Sequence, residues 1–393
     1  MTSHPNFTLL LPRKIVFGWG RRSELGGLVS DLGQRVLLID GSRTLRTSVM
    51  FGEISSSLAE RQLQVEHVAS VQGEPTIEDV DDIASKVREL NPREGDVVLG
   101  LGGGAAIDTA KAVAALATQP ESVSVREYLE GIGTGKKLTA RPLPIVAVPT
   151  TAGTGSEATK NAVISCNDPP CKKSFRSEEM VPSLAVIDPE FMASCPPEQT
   201  AHSGMDAITQ LIESFLSRRA NAATSSVCLT ALSGTVTALT QAVQDGANRE
   251  ARETMAAAAL ASGIALANSG LGMAHGVAAA LGAHHNVPHG LACAVMLPVA
   301  LRTNRSHSPE RWRPLSDVLC PNGEECETDH ADRVIDVIAQ LSAELNIPTK
   351  LRDLGVAKES LPDLVTGSRG NSMNGNPREL SDEELAEILE GCW

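Results

Sequence analysis

The sequence predicts a two-part fold: an α/β half with a parallel sheet over residues 1–188, then an all-helical half over 189–393. Three observations predict it. At 393 residues the chain is longer than a single core usually serves. In the first half short, continuous apolar runs alternate with helical patterns, as strands do when crossover helices bury both faces of a sheet. Beyond Asp188 no further strand pattern is evident, and helical periodicity continues to the end.

The elements follow in order. Residues 35–40 (RVLLID), 95–101, 144–149 and 184–188 read as buried strands, with helical stretches at 77–90 and 105–117 between them. In the second half helices are predicted over 198–217, 222–244, 249–267 and 331–345. Residues 371–377 are rich in Gly and Asn and form a loop. A last helix starts near Ser381, where Glu384 three residues on completes a capping box.

Composition narrows the function. A net charge of −14 argues against a nucleic-acid or anionic-membrane partner, because both select basic surfaces. Aromatic residues are only 3%, so the core must be packed from small side chains, which suits helix against helix. The eight Cys include no CxxC pair and are expected to be reduced thiols in a cytoplasmic protein. Cys320 and Cys326 bracket an acidic loop, but two thiols do not close a zinc site. No basic segment followed by an apolar one opens the chain, so no signal peptide is expected. Residues 255–301 contain no Asp, Glu, Lys or Arg, yet they carry Asn268, His275, His284, His285, Asn286 and His289. Ala and Gly dominate there, so buried helices around a polar site account for the stretch better than membrane spans.

Four motifs carry chemistry. Gly102, Gly103 and Gly104 follow a strand and open a helix, whose N-terminus offers N–H groups and a positive dipole end to a phosphate. A tight turn that binds nothing has the same glycines, and the spacing is not the GxGxxG fingerprint. Asp40 ends its strand, where a carboxylate accepts hydrogen bonds from a ribose and repels a 2′-phosphate; a turn Asp before Gly41 is the plain alternative. Together the two favour NAD over NADP. Thr150, Thr151, Thr154 and Ser156 form a hydroxyl-rich loop after another strand. Finally, Asp206 and Gln210 share one helix face at i, i+4, while His275 and His289 lie in the uncharged stretch. A carboxylate and imidazoles in an apolar setting are what a divalent metal needs, although a single buried His is more often a satisfied core residue.

In these motifs the chain resembles the iron-containing alcohol dehydrogenase family, within the wider group of glycerol dehydrogenase and dehydroquinate synthase. Residues 102–111, 149–157, 204–210 and 275–298 carry the resemblance in order, and it runs from Gly18-Trp19-Gly20 to the final helices. It implies an N-terminal dinucleotide-binding domain, a helical metal and substrate domain, an active site in the cleft between them, and a homodimer. It further implies that Gly102, Gly103, Gly104 and Asp108 line the NAD pyrophosphate, Asp40 the adenosine ribose, and Thr150, Thr151, Thr154 and Ser156 the nicotinamide side. The family metal is usually held by one Asp and three His. Asp206, His275 and His289 match three of these, and Gln210 stands where the fourth would be. Relatives with one Asp and two His hold zinc, so Fe2+ and Zn2+ both stay open. Ala279 occupies the place of a histidine often assigned to proton relay, with His285 or His284 as the nearby substitute. The expected activity is metal-assisted hydride transfer between a nicotinamide and an alcohol or aldehyde, with Asp206, His275, His289 and His285 catalytic. Two alternatives remain: a dehydroquinate-synthase-like lyase, and an NAD-binding protein with a decayed site.

Overall fold

The computed structural model describes residues 6–41, 43–320 and 329–393. Two compact units emerge. One comprises Leu10–Thr151 and Gly155–Ser194; the other comprises Cys195–Trp393, the short segment Ala152–Thr154 and, among the described residues, 6–9.

The first unit holds strands β1 (Ile15–Phe17), β2 (Arg35–Asp40), β3 (Gln64–Ser70), β4 (Asp96–Gly102), β5 (Ile145–Pro149), β6 (Asn161–Asn167), β7 (Pro170–Arg176) and β8 (Leu184–Ile187). Six form one sheet in the order β1-β8-β5-β4-β2-β3, with every pair parallel. Strands β6 and β7 make a separate antiparallel hairpin. Helices α1 (Leu25–Ser30), α2 (Arg43–Arg46), α3 (Val49–Glu60), α4 (Ile77–Glu89) and α5 (Gly104–Leu116) lie between the strands in sequence.

Side-chain alternation gives the sheet two buried faces. From β2, Leu37 and Ile39 join Val80 and Val87 of α4 and Val113 of α5. The intervening Val36 and Leu38 join Leu25 of α1 and Ile54 and Leu58 of α3 on the other face. The continuous apolar runs therefore mark sheet interior, as the sequence predicts. Strands β1 and β3 and the hairpin of β6 and β7 were not evident in it. β1 has three residues, and β3 is an edge strand whose first four residues are exposed.

The boundary falls six residues later than the Asp188 that the sequence suggests. The turn Pro189–Met192 belongs with the sheet because Phe191 packs into the core of Leu25, Val36 and Val186.

The second unit comprises α6 (Pro197–Leu216), α7 (Ala222–Leu232), α8 (Thr235–Gln244), α9 (Arg249–Ser269), α10 (Met273–His285), α11 (His289–Asn304), α12 (Pro309–Leu319), α13 (His330–Glu344), α14 (Leu361–Gly367) and α15 (Asp382–Gly391). Helix α6 is buried all round from Gly204 to Leu216, as a central core helix must be. The single helix predicted over 222–244 is broken into α7 and α8 by Gly234, at φ +77°, where L side chains rarely sit. Ser381 and Glu384 do form the capping box of α15.

The uncharged stretch is divided among α9, α10 and α11, and α9 and α10 meet at 102°. Among the described residues no single helix is long and apolar enough to cross a membrane. The described cysteines are free thiols, while Cys326 and the acidic loop it brackets with Cys320 lie outside the described residues.

Candidate active site and metal centre

Two groups of predicted residues are assembled, one in each unit. In the sheet unit the C-terminal ends of β2, β4 and β5 lie side by side. Asp40, Gly102 and Thr150 thus come together from distant parts of the sequence. Gly102 has φ +157°, and a Cβ there would sit 2.8 Å from Ala106 Cβ and 2.9 Å from Gly41 Cα. Only glycine fits this approach. Thr150 N donates to Gly102 O at 2.9 Å, and Gly103 sits beside the Thr151 side chain. Helix α5 begins after Gly103 without a side-chain cap, so its first N–H groups are not spent on one. Asp40 is fully buried. Its Oδ2 lies 3.0 Å from His67 Nε2 and 3.6 Å from Arg46 Nε, while its Oδ1 has no hydrogen-bond partner among the described residues. An unpartnered buried carboxylate oxygen beside a glycine cradle fits the ribose and pyrophosphate of a dinucleotide.

Asp108 and Ser156 have other work. Asp108 Oδ1 accepts a short hydrogen bond from Ser156 Oγ and pairs with Lys111 Nζ at 2.9 Å, and its Oδ2 accepts from Val163 N at 2.9 Å. Lys111 is fully buried and also donates to Ser156 O and Thr159 Oγ1, both at 2.9 Å. The pair fastens α5 to the loop after β5. Both carboxylate oxygens of Asp108 are thus engaged within the protein. Thr154 lies in the segment Ala152–Thr154 of the other unit, where Gly153 packs against Ser203 of α6.

In the helical unit Asp206 of α6, His275 of α10, and His289 and Cys293 of α11 converge, and one ligand atom from each lies within 4.8 Å of all the others. His275 Nε2 is 3.2 Å from Asp206 Oδ1, His289 Nε2 is 3.7 Å from the same oxygen, and Cys293 Sγ is 3.7 Å from His289 Nε2. Metal–ligand bonds of about 2.0–2.3 Å at tetrahedral angles separate neighbouring ligand atoms by roughly 3.3–3.6 Å. The observed spacings of 3.2 and 3.7 Å lie just outside that range on either side, and the donor set suits a divalent metal. Burial works to raise the Asp206 carboxyl, but His289 and the hydrogen bond with His275 outweigh it and hold it below its ordinary value. The His289 imidazole is raised to about 9, chiefly by Cys293 and also by Asp206, against burial. A metal entering the group displaces protons held there.

Sequence reasoning missed two members of this centre. Glu213 lies seven residues after Asp206 on α6, and its Oε2 is 2.7 Å from His275 Nδ1. The same carboxylate accepts from Gly272 N and Ala274 N at the start of α10. It caps the helix that carries His275 and turns the ring so that Nε2 faces Asp206. The i, i+4, i+7 spacing of Asp206, Gln210 and Glu213 was the available signal. The other is Cys293, one turn after His289 on the same face of α11.

Two expectations need correction. Gln210 does not present its carbonyl to the group: Oε1 accepts from Ser262 Oγ at 2.6 Å, and Nε2 donates to Asp206 Oδ1 at 3.2 Å. It braces a ligand. His285, expected as a proton relay, lies outside the group. It is ten residues beyond His275 on α10, about 15 Å along the axis at 1.5 Å per residue. Its neighbour His284 stands against Gly367 of α14.

The comparisons with known proteins agree with this geometry. A family model described as "Iron-containing alcohol dehydrogenase" matches residues 12–189, and one described as "Fe-containing alcohol dehydrogenase family, C-terminal" matches residues 200–393. The chain belongs to the iron-containing alcohol dehydrogenases. It is 33% identical to a 1,3-propanediol dehydrogenase of Citrobacter freundii, over 98% of this chain and 99% of that protein. It is 31% identical to a lactaldehyde reductase of Escherichia coli K12, over 95% and 97% respectively. A crystal structure of 1,3-propanediol oxidoreductase superposes with a TM-score of 0.89 at 32% identity, covering 99% of this chain and all of that one. A sulfoacetaldehyde reductase from Bifidobacterium kashiwanohense, solved in complex with NAD+, gives a TM-score of 0.84 at 29% identity, covering 99% of both chains. Like its family, the chain is an alcohol/aldehyde oxidoreductase linked to a nicotinamide cofactor. The lyase alternative finds no support among these relatives.

Proposed function

We propose that this iron-type alcohol dehydrogenase interconverts a short-chain alcohol or diol and its aldehyde, using NAD and a divalent metal held by Asp206, His275 and His289. The convergence of these three side chains, Asp206 and His275 buried and His289 half-buried, carries the reading. The activities for which the relatives are named, on 1,3-propanediol and lactaldehyde, support a small polar substrate. When bound, the metal supplies a Lewis acid for the substrate oxygen, and the nicotinamide accepts or returns the hydride.

This chain's own residues do the positioning. Glu213 holds His275 by its Nδ1, so that Nε2 is the atom offered to the centre. Gln210, braced by Ser262, keeps Asp206 Oδ1 in line. Gly102 admits the cofactor backbone to the strand ends, and Asp40 selects a ribose that lacks a 2′-phosphate. A homodimer in the cytoplasm is proposed on the family resemblance, with light scattering on the purified protein as its check.

The test is NADH formation with a panel of short alcohols and diols, before and after stripping with a strong chelator. Turnover that is lost on stripping and restored by Zn2+ or Fe2+ is expected. Full turnover in a metal-free preparation overturns the metal-assisted reading, and NAD binding without turnover on any panel member leaves only a decayed site.

A further inference from the structure

We propose that Cys293 binds the metal as a thiolate, as the fourth protein ligand in place of the missing imidazole, giving a site that holds zinc more selectively than an all-nitrogen-and-oxygen site would. The inference rests on the metal-assisted reading above and adds to it the identity of a ligand.

Three observations carry it. Cys293 is fully buried, and its Sγ is the remaining atom of the group that Asp206, His275 and His289 form. No other described cysteine belongs to any such group. Second, Gln210 is engaged elsewhere: its Oε1 accepts from Ser262 Oγ at 2.6 Å and its Nε2 donates to Asp206 Oδ1 at 3.2 Å. Third, Cys293 stands one turn after His289 on α11 with its Sγ 3.7 Å from His289 Nε2, so both side chains present to the same centre. Binding exchanges the Cys293 S–H bond for an S–metal bond and releases the proton to solvent.

Thiolate is a soft ligand, and substituting it for imidazole shifts preference towards zinc. Zinc outcompetes iron(II) at most sites of this kind, so the informative quantity is the change in their ratio when the sulfur is removed.

The experiment uses the full chain, stripped and then loaded with one equivalent of Zn2+ or Co2+. X-ray absorption on the zinc form is expected to show one sulfur at about 2.3 Å beside nitrogen and oxygen at about 2.0–2.2 Å. The cobalt form is expected to show a sulfur-to-cobalt charge-transfer band in the near ultraviolet. Cys293→Ser should abolish that band while keeping the visible d–d absorption of cobalt. Its zinc affinity should fall by at least about 10-fold, since disturbing even an outer partner of a ligand costs 10–100-fold. Its zinc-to-iron ratio should fall too. If Cys293→Ser does not fold, Cys293→Ala serves, and the absorption measurement on the unaltered protein needs no variant. Zinc bound with only nitrogen and oxygen neighbours, or an unchanged cobalt spectrum in Cys293→Ser, overturns the thiolate and leaves the metal-assisted reading standing. Absence of any d–d absorption in the unaltered protein overturns both.

Discussion

Glu213 on α6 and His275 on α10 are joined by a 2.7 Å contact between Oε2 and Nδ1, and the same carboxylate caps the backbone of α10. One side chain thus sets both the start of a helix and the tautomer of a ligand borne on it. Glu213→Gln keeps the size but loses the charge. It is expected to weaken zinc binding about 10–100-fold and to lower stability by about 1–3 kcal/mol. A chelator-competition titration and a thermal melt of the metal-free protein check the two effects separately.

Gln210→His puts a nitrogen where the amide now braces Asp206. Iron(II) affinity is expected to rise at least about 10-fold, as a further imidazole joins the group. Anaerobic titration with Fe2+ measures it. An unchanged affinity would mean that the imidazole cannot reach past Asp206.

Asp40 sits beside Arg46 and His67, so removing its charge leaves two basic groups near the ribose position. Asp40→Ser is expected to narrow the preference for NAD over NADP by about 10-fold or more, the scale of one lost charge repulsion of about 1.4 kcal/mol. Fluorescence titration with both nucleotides reads the ratio directly.

Glu157 is buried, and its carboxyl is pushed up from 4.5 to about 7, first by burial and then by Asp108, against the pull of Lys111. The folded protein therefore holds this proton more tightly than the unfolded chain. The stability it contributes is fully present below pH 4.5 and is lost as pH rises through about 7. Glu157→Gln should match the unaltered protein near pH 4.5 and exceed it by up to about 3 kcal/mol above pH 7. Urea denaturation at pH 5 and pH 8 tests this; an equal gain at both would rule the titration out.

Strand interiors were legible because burial on both faces leaves a continuous apolar run, as in β2 and β4. The exposed edge β3 leaves none, and β1 is too short to leave any. The break at Gly234 was hidden because a helix period continues on both sides of it. At the site, Asp206, His275 and His289 were legible as polar groups in an apolar stretch. Cys293 was not, because a thiol does not stand out among Ala and Leu and only its distance from His289 reveals it. Glu213 was not singled out, since a Glu is more often a surface charge and only the burial of α6 from Gly204 to Leu216 sets it apart. His285 misled for the opposite reason: proximity along a helix is not proximity in space, and ten residues carry a side chain to the far end.

The uncharged stretch that folds into α9, α10 and α11 has a further consequence. Nothing in it carries a charge that could keep unfolded copies apart. Once these helices separate on heating, their small apolar faces meet those of other chains faster than they find one another again. Heat inactivation should then be irreversible, scan-rate dependent and worse at high protein concentration. The practical measure of robustness for this enzyme is a half-life.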